Sequence, residues 1–296
     1  MKLVALTALA MLAFAGNSLL CRLALLHTGI DAASFTSVRL ISGALVLWLI
    51  AAQRSEPRTK SLGGGWLSAV ALFVYAEAFS FAYLSLPAGT GALLLFAAVQ
   101  ISMIGWGLYR GERLARWQIA GFALAVGGLV FLLLPGLSAP PLQGALLMTA
   151  AGVAWAVYSL RAKGAGDPTR ATAGNFVRAA PLALAVSAAM LPSMKWDAAG
   201  IGYGLASGIL SSGIGYVIWY AALRELKMTS AATVQLSVPV IAAFGGVLFL
   251  DESVSLRLVT ASAAVLGGVA VVLLARGRPS RRDALTPPAG TPPPSR

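Results

Sequence analysis

Ten apolar runs of about 20 residues, separated by short polar segments, limit most strongly what this chain can fold into. A run of this length spans about 30 Å as an α-helix, which is the thickness of the hydrocarbon core of a bilayer. A membrane β-barrel would instead need strands of about ten residues with alternating polarity. We therefore predict an all-α integral membrane protein with ten transmembrane helices. The predicted helices cover residues 3–26, 33–52, 65–86, 90–109, 116–135, 142–161, 172–191, 201–223, 229–250 and 257–275.

The composition excludes several classes of function. The 296 residues are 58% hydrophobic and only 11% charged, which is too apolar for a soluble domain. The net charge of +12 is scattered between the apolar runs, which argues against a nucleic-acid partner. A single cysteine (Cys21) and a single histidine (His27) leave no cluster that could hold zinc or haem. We therefore expect no metal site, no cofactor and no enzymatic activity.

The distribution of basic residues predicts the orientation in the membrane. If the N-terminus is cytoplasmic, 17 Lys and Arg residues fall in cytoplasmic segments, and only Lys195 and Arg257 fall on the other side. Because positive side chains collect on the cytoplasmic side of membrane proteins, we predict that both termini are cytoplasmic. The excess of Arg over Lys and the abundance of Ala, Gly and Leu favour a bacterial inner (plasma) membrane. Residues 276–296, rich in proline and arginine, are predicted to form a disordered cytoplasmic tail.

A shift of about 140 residues aligns the two halves of the chain. The charged pairs that it aligns are Arg22 with Lys163, Arg39 with Arg178, and Glu112 with Glu252. These charged pairs are informative, since apolar matches arise by chance in so biased a composition. Five helices per half is an odd number, so the second half must run through the membrane in the opposite direction. We predict two inverted five-helix repeats, residues 1–137 and 138–275, with a substrate site near the midplane between them.

The fourth and ninth predicted helices are both rich in small residues and are followed by a glutamate, Glu112 and Glu252 respectively, and then by a glycine-containing helix. This pattern resembles the drug/metabolite transporter superfamily and, more narrowly, its ten-helix EamA-type exporters. Within these the chain is most similar to bacterial aromatic amino-acid exporters. The resemblance covers residues 1–275 and implies a cavity lined by helices 1, 3, 4, 6, 8 and 9, with alternating access to it. The halves differ at Val99, where the second half has Pro239.

Ionisable side chains inside a predicted span are costly, by about 2.5–3.5 kcal/mol, so each suggests a function. Glu77, midway along the third span, could bind a substrate ammonium or take up a proton, or it could form a structural ion pair with a neighbouring arginine. Arg39 and Arg178 occupy equivalent positions in the two halves and could close gates on opposite faces of the membrane. The alternative is that they extend toward helix ends and the membrane surface. The same two interpretations apply to Arg22.

Aromatic and neutral polar residues recur at helical spacing in the other spans. Residues three or four apart lie on one face of a helix, and Pro239 frees a backbone carbonyl and can kink its helix. We predict a cavity lined by Asn17, Tyr75, Glu77, Phe79, Gln100, Trp155, Tyr158, Ser159, Tyr216, Trp219, Gln235 and Pro239. Such a lining suits a flat apolar side chain, with amides to orient a zwitterion. The alternatives are aromatic belts at the membrane surface and amide contacts between helices.

Together these features predict an inner-membrane transporter that exports small metabolites by alternating access through a central cavity. Amino acids, aromatic or otherwise neutral, are the expected substrates. Efflux of lipophilic cations is the first alternative, since Glu77 and an aromatic cavity would serve it as well. A membrane scaffold without transport is the second. The expected partners are a small-molecule substrate and the lipid bilayer, and the sequence does not distinguish a monomer from a dimer.

Overall fold

The computed structural model describes residues 2–53, 62–136, 139–162, 166–226 and 228–275. The helices are α1 (Lys2–His27), α2 (Ala32–Gln53), α3 (Trp66–Ala82), α4 (Ala88–Tyr109), α5 (Arg116–Leu133), α6 (Leu142–Ala162), α7 (Pro168–Ala189), α8 (Ala198–Ala206), α9 (Gly215–Leu223), α10 (Met228–Gln235), α11 (Ser237–Leu250) and α12 (Leu256–Ala275). A short 3-10 helix covers Leu191–Ser193. These ranges contain no β-strand, which confirms the all-α prediction. The predicted tail, 276–296, and Lys163 lie outside the described residues.

Eight helical segments in the described part of the chain are long and apolar enough to cross a membrane. They are Lys2–His27, Ala32–Gln53, Ala88–Tyr109, Arg116–Leu133, Leu142–Ala162, Ala198–Leu223, Thr233–Leu250 and Leu256–Leu274. The apolar helix α3 is shorter, with 17 residues. Helix α7 has 22 residues but contains Arg170 and Arg178 and is not among the eight. The fold is therefore that of a multi-pass membrane protein, while length and hydropathy alone give fewer crossings than the predicted ten.

The segment Ala198–Leu223 is one membrane span whose middle is not α-helical. A π-helix, Ser207–Ile214, joins α8 to α9. π-Helical turns are rare and are found frequently at functional sites. A Cβ atom at Gly208 would overlap the Ser42 hydroxyl and the Arg39 carbonyl oxygen, so glycine is needed for this approach to α2. The π-helix thus lies directly against the backbone of α2 at Arg39.

Helices α10 and α11 belong to one predicted span that is interrupted at Leu236. Pro239 has no N–H group to donate to the carbonyl of Gln235, four residues earlier, so the helical hydrogen-bond pattern cannot continue there. Helix α10 ends at Gln235, and α11 begins at Ser237. The kink predicted from Pro239 is therefore present in the fold.

The helices of the two halves pack against each other throughout the molecule. Helix α2 packs on α7, α4 on α11, and α5 on α12. Helix α3 packs on α6 and α7, while α1 and α2 pack on the segment that runs from α8 to α9. One large cluster of buried apolar side chains joins most of these helices, and a smaller one lies around α5 and α12. The centre of the molecule is accordingly surrounded by α1, α3, α6, α7 and α9.

Gly268 lies where α12 crosses α5, and we expect Gly268→Ala to lower the free energy of unfolding by about 1–3 kcal/mol through overpacking. A Cβ at this position would overlap the carbonyl oxygen of Gly121 and approach the Ala125 backbone nitrogen to 2.7 Å. Both are backbone atoms, so neither can rotate away. Gly267→Ala is the matched control, since a Cβ there meets no atom within 4 Å. Thermal unfolding in detergent measures both variants, and equal stability of the two would contradict this packing.

Candidate substrate site

A group of aromatic side chains from five helices meets in the middle of the molecule. We call it the ring cluster, and it consists of Phe14 (α1), Tyr75 and Phe79 (α3), Trp155 and Tyr158 (α6), Phe176 (α7), and Tyr216 and Trp219 (α9). Each ring lies within 6.0 Å of another, measured between centroids. This is the range in which aromatic pairs attract one another. The structure thus brings together six of the aromatic residues that the sequence predicts for a cavity.

Trp155 is the centre of the ring cluster. Its ring lies 4.7 Å from that of Tyr75, 5.2 Å from that of Tyr158 and 5.5 Å from that of Tyr216. Tyr75, Tyr158 and Tyr216 are buried, whereas Trp155 remains partly exposed. Trp155 therefore joins three helices and still has part of its surface free for contact with another molecule.

A short chain of hydrogen bonds borders the ring cluster on one side. The amide nitrogen of Asn17 lies 3.4 Å from the Tyr75 hydroxyl, to which it donates, and its amide oxygen accepts from the Ser207 hydroxyl at 2.7 Å. Ser207 is the first residue of the π-helix. Asn17, a predicted cavity residue, thereby connects α1 and α3 to the π-helix.

Arg39 and Glu77 are two buried ionisable side chains, of which Arg39 contacts the ring cluster, whereas Glu77, two residues from both Tyr75 and Phe79, projects from the opposite face of α3. The guanidinium carbon of Arg39 lies 4.9 Å from the Phe79 ring centroid and 5.4 Å from that of Tyr75. Neither Nε nor Nη1 of Arg39, and neither carboxylate oxygen of Glu77, has a hydrogen-bond partner. In the described part of the chain the two groups form no ion pair within 4.0 Å. The structural ion pair considered for Glu77 is therefore absent.

A cavity of about 320 Å³ lies at the end of the bundle where α3 and α7 begin and α6 ends. We call it the vestibule, and its lining residues are Gly64, Gly65, Ser68, Tyr158, Arg161, Ala162, Pro168, Ala171, Thr172, Asn175 and Tyr220. A chain of hydroxyl groups crosses its inner end: Tyr158 donates to Thr172 at 3.3 Å, and Thr172 lies 3.1 Å from the Tyr220 hydroxyl. Trp155 and Tyr216 stand about one helical turn deeper. The vestibule therefore leads toward the ring cluster.

The opposite end of α3 is closed by an ionic contact, which we call the latch. Arg22 pairs with Glu252 at 3.3 Å and donates to the carbonyl oxygens of Tyr83 and Leu84 at 2.8 and 3.2 Å. The second carboxylate oxygen of Glu252 accepts from the backbone N–H of Ala88, the first residue of α4, at 2.7 Å. The latch thus joins the end of α1, the α3–α4 turn and the segment after α11. Because α3 runs from the vestibule to the latch, the ring cluster lies between them.

The remaining predicted site residues lie apart from the ring cluster. Arg178 donates to the carbonyl oxygens of Gly63 and Gly174 at 3.0 and 2.8 Å, near the vestibule end of α7. Gln100 is buried in α4, and Ser159 is half-buried in α6. Gln235, also half-buried, and Pro239 flank the interruption at Leu236. Within the described residues, no ring contact or hydrogen bond connects these side chains to the ring cluster.

Several residues of the site were not on the predicted list. Phe14 and Phe176 belong to the ring cluster, Tyr220 and Thr172 cross the vestibule, and Ser207 binds Asn17. Tyr220 lies four residues after Tyr216, so helical spacing could have indicated it. Thr172 and Ser207 gave no such signal, because a hydroxyl inside an apolar helix most often bonds to its own backbone.

The sequence and the fold were compared with those of known proteins. Residues 142–274 match the model of the EamA-like transporter family. The chain is 56% identical over 280 residues to an uncharacterized protein of Pseudomonas aeruginosa, which covers 94% of this chain and 97% of that protein. A solved crystal structure that is 21% identical superposes with a TM-score of 0.67, over 93% of this chain and 98% of the other. At this identity the similarity shows the shared fold alone.

Two relatives bear the names of amino-acid exporters. The threonine/homoserine exporter RhtA of Salmonella typhimurium is 34% identical over 137 residues, which are 45% of this chain and 46% of that protein. A probable terminal-alkyne amino-acid exporter of Streptantibioticus cattleyicolor is 27% identical over 228 residues, or 74% of this chain and 75% of that protein. Given the family match, the full-length relative and the apolar helical fold, the chain is a multi-pass inner-membrane protein that belongs to the EamA-like transporter family of the drug/metabolite transporter superfamily.

Proposed function

We propose that this protein exports amino acids, aromatic or otherwise neutral, across the bacterial inner membrane by alternating access. The observation that supports this most directly is the position of the ring cluster between the vestibule at one end of α3 and the latch at the other. A binding site that can be reached from one end while the other end is closed is what alternating access requires. Transport, and not a scaffold role, accounts for this difference between the two ends.

We further propose ten membrane crossings in two inverted repeats, residues 1–137 and 138–275. The packing pattern supports this topology, because exchanging each helix with its counterpart in the other half maps the most extensive helix contacts onto one another. For example, the contact between α3 and α6 corresponds to the contact between α1 and the α8–α9 segment. The contact between α4 and α6 likewise corresponds to the one between α1 and α11. In this topology α3 and α7 are the two additional crossings. The charge distribution favours cytoplasmic termini, so the vestibule faces the cytoplasm and the latch faces outward.

The chemistry of the ring cluster supports a neutral or aromatic amino acid as substrate. Aromatic rings bind apolar side chains, while Asn17 and Arg39 offer polar contacts to the ammonium and carboxylate groups of an amino acid. The names of two relatives, a threonine/homoserine exporter and a probable terminal-alkyne amino-acid exporter, agree with this class of substrate. Efflux of lipophilic cations is a second candidate, since the buried Glu77 carboxylate has no hydrogen-bond partner and could bind a cation.

Flux measurements in liposomes that contain the purified protein test the proposed function. We expect transport of at least one labelled amino acid from a panel of threonine, homoserine, phenylalanine and tryptophan, and little transport of tetraphenylphosphonium. Trp155→Ala and Tyr75→Ala should change the order of preference within the panel, because both remove rings from the cluster. Trp117→Ala is the matched control, since Trp117 is 72% exposed. Preference for tetraphenylphosphonium would support the cation alternative, and no flux of any compound would contradict transport.

A further inference from the structure

We propose that the vestibule is itself a binding site, in which Arg161 holds the carboxylate of an amino acid before the molecule passes to the ring cluster. The proposal rests on the proposed function and adds to it a first site at the cytoplasmic end of the transport path. It assigns recognition of the carboxylate to a side chain that lines the cavity.

The vestibule is a polar cavity inside an apolar helix bundle. Four of its polar side chains are buried, each at most 8% exposed: Ser68, Tyr158, Thr172 and Asn175. Polar side chains that face a cavity within a membrane protein mark substrate pathways. The volume of about 320 Å³ lies at the lower end of the range of about 300–1,000 Å³ that is typical of small-molecule sites. The cavity therefore suits a ligand as small as a single amino acid.

The wall of the vestibule is fixed where α3 begins beside α7. The Asn175 side-chain oxygen accepts from the backbone N–H of Gly65 at 3.0 Å. Gly64 has a φ of +83°, and a Cβ there would overlap both the Asn175 side chain and the carbonyl oxygen of Ala171. Glycine is needed for this close approach. The cavity is accordingly formed before a ligand enters, which lowers the entropic cost of binding.

Arg161 provides the charge of the vestibule. Its Nε donates to the Ser68 hydroxyl at 3.2 Å, and Nη1 and Nη2 have no partner among the described residues. No carboxylate belongs to the described residues that line the cavity. The neighbouring Asp167 caps α7, where its Oδ1 accepts from the backbone N–H groups of Thr169 and Arg170. A carboxylate can bind the free end of such a guanidinium group through two parallel hydrogen bonds.

Helix α6 leads from Arg161 to the ring cluster. Arg161, Tyr158 and Trp155 follow one another at intervals of three residues, so they lie on one face of the helix, about 4.5 Å apart along its axis. The Tyr158 hydroxyl donates to Thr172 at 3.3 Å, and its ring stacks on Trp155 with centroids 5.2 Å apart. Arg161 is exposed at the mouth of the cavity, so an entering molecule meets it first. Tyr158 then separates this molecule from Trp155.

Competition on the cytoplasmic side of the protein tests this assignment. The assay is uptake of the best labelled amino acid of the panel into inside-out membrane vesicles. The competitors are threonine and phenylalanine, each compared with its amide, which lacks the carboxylate. We expect Arg161→Gln to weaken competition by the amino acid at least fivefold and competition by its amide less than twofold. Arg161→Lys keeps the positive charge and should recover part of the loss. An equal effect on both compounds, or no effect on either, would overturn the proposal.

Two further variants separate recognition from structural effects. Arg113→Gln is the matched control, because it removes an exposed arginine that is not among the residues lining the vestibule, and competition by both compounds should stay within twofold of the wild-type value. Ser68→Ala removes the hydrogen bond to Nε but keeps the guanidinium group, so it should retain the preference for the amino acid over its amide. If Ser68→Ala abolished this preference as Arg161→Gln does, the role of Arg161 would be structural.

A third competitor distinguishes the substrate carboxylate from a lipid phosphate, which a guanidinium group binds equally well. Dioctanoyl phosphatidylglycerol should compete more weakly than the amino acid. Stronger competition by this lipid, lost in Arg161→Gln, would assign the vestibule to lipid headgroups and overturn the proposal. If amino acids are transported without any dependence on Arg161, only the vestibule site fails. If the wild-type protein transports none of them, the proposed function fails with it.

Discussion

The Glu252→Ala protein should react with membrane-impermeant thiol reagents at Cys21 at least tenfold faster than the wild-type protein does. Glu252 pairs with Arg22 and accepts a hydrogen bond from the N-terminus of α4, so alanine removes both contacts that Glu252 makes in the latch and leaves only those of Arg22 with backbone carbonyls. Hydrogen bonds to charged groups contribute about 1.5–3 kcal/mol each, and about 1.4 kcal/mol corresponds to a tenfold change in a population. The outer face should accordingly open more often.

Cys21 is a natural reporter for this experiment. It is the single cysteine of the chain, is completely buried and immediately precedes Arg22. An impermeant maleimide is applied to right-side-out vesicles, with Cys21→Ser as the background. Glu112→Ala is the matched control, because Glu112 approaches Gly107 at the other end of α4 as Glu252 approaches Gly246 after α11. Equal labelling of the wild-type and Glu252→Ala proteins would show that the latch does not close the outer face.

Gly208→Ala should lower amino-acid flux, per molecule of folded protein, to less than about a tenth of the wild-type rate. A Cβ at Gly208 overlaps the Arg39 carbonyl oxygen, a backbone atom that moves only if α2 or the π-helix moves. Overpacking of this kind costs about 1–3 kcal/mol, and the displacement would act on the backbone of Arg39, whose guanidinium group contacts the Tyr75 and Phe79 rings. Gly202→Ala in the same span is the control, since a Cβ there meets nothing within 4 Å. A wild-type rate of flux in Gly208→Ala would show that transport does not depend on the contact between the π-helix and α2.

The apolar runs predict the helices well because hydrocarbon offers backbone groups no other partners, so each run must satisfy its own hydrogen bonds. The predicted run 142–161 corresponds to Leu142–Ala162, and 116–135 corresponds to Arg116–Leu133. Helical spacing likewise placed Tyr75 and Phe79 on one face, where their rings lie 5.5 Å apart. The family resemblance alone indicates which helices bring their aromatic faces together. The contacts of Trp155 with Tyr75 of α3 and Tyr216 of α9 could be seen only in the structure.

Other features of the site depend on contacts between distant parts of the chain. A stretch rich in glycine and serine, such as the one after Gly204, is typical of close helix packing, but its π-helical form and its contact with α2 at Arg39 are visible only in the structure. The family resemblance includes Glu252. Its hydrogen bond from the backbone N–H of Ala88, 164 residues away in the chain, could not be predicted from the sequence. The sequence also left open whether Glu77 forms an ion pair, because residue spacing along a helix does not give the distance to a residue on another helix.

The two closures of the site differ in strength, and this has a physiological consequence. The latch is held by charges, whereas the vestibule is crossed by the neutral hydroxyl groups of Tyr158, Thr172 and Tyr220, whose hydrogen bonds contribute about 0.5–1.5 kcal/mol each. An empty protein with cytoplasmic termini therefore rests ready to load from the cell interior. A ligand shifts such an equilibrium only through its different affinity for the two states, so outward opening depends on occupancy. In the proposed exporter, outflow would then follow the cytosolic surplus of the substrate, so that overaccumulation is relieved while a small working pool is retained.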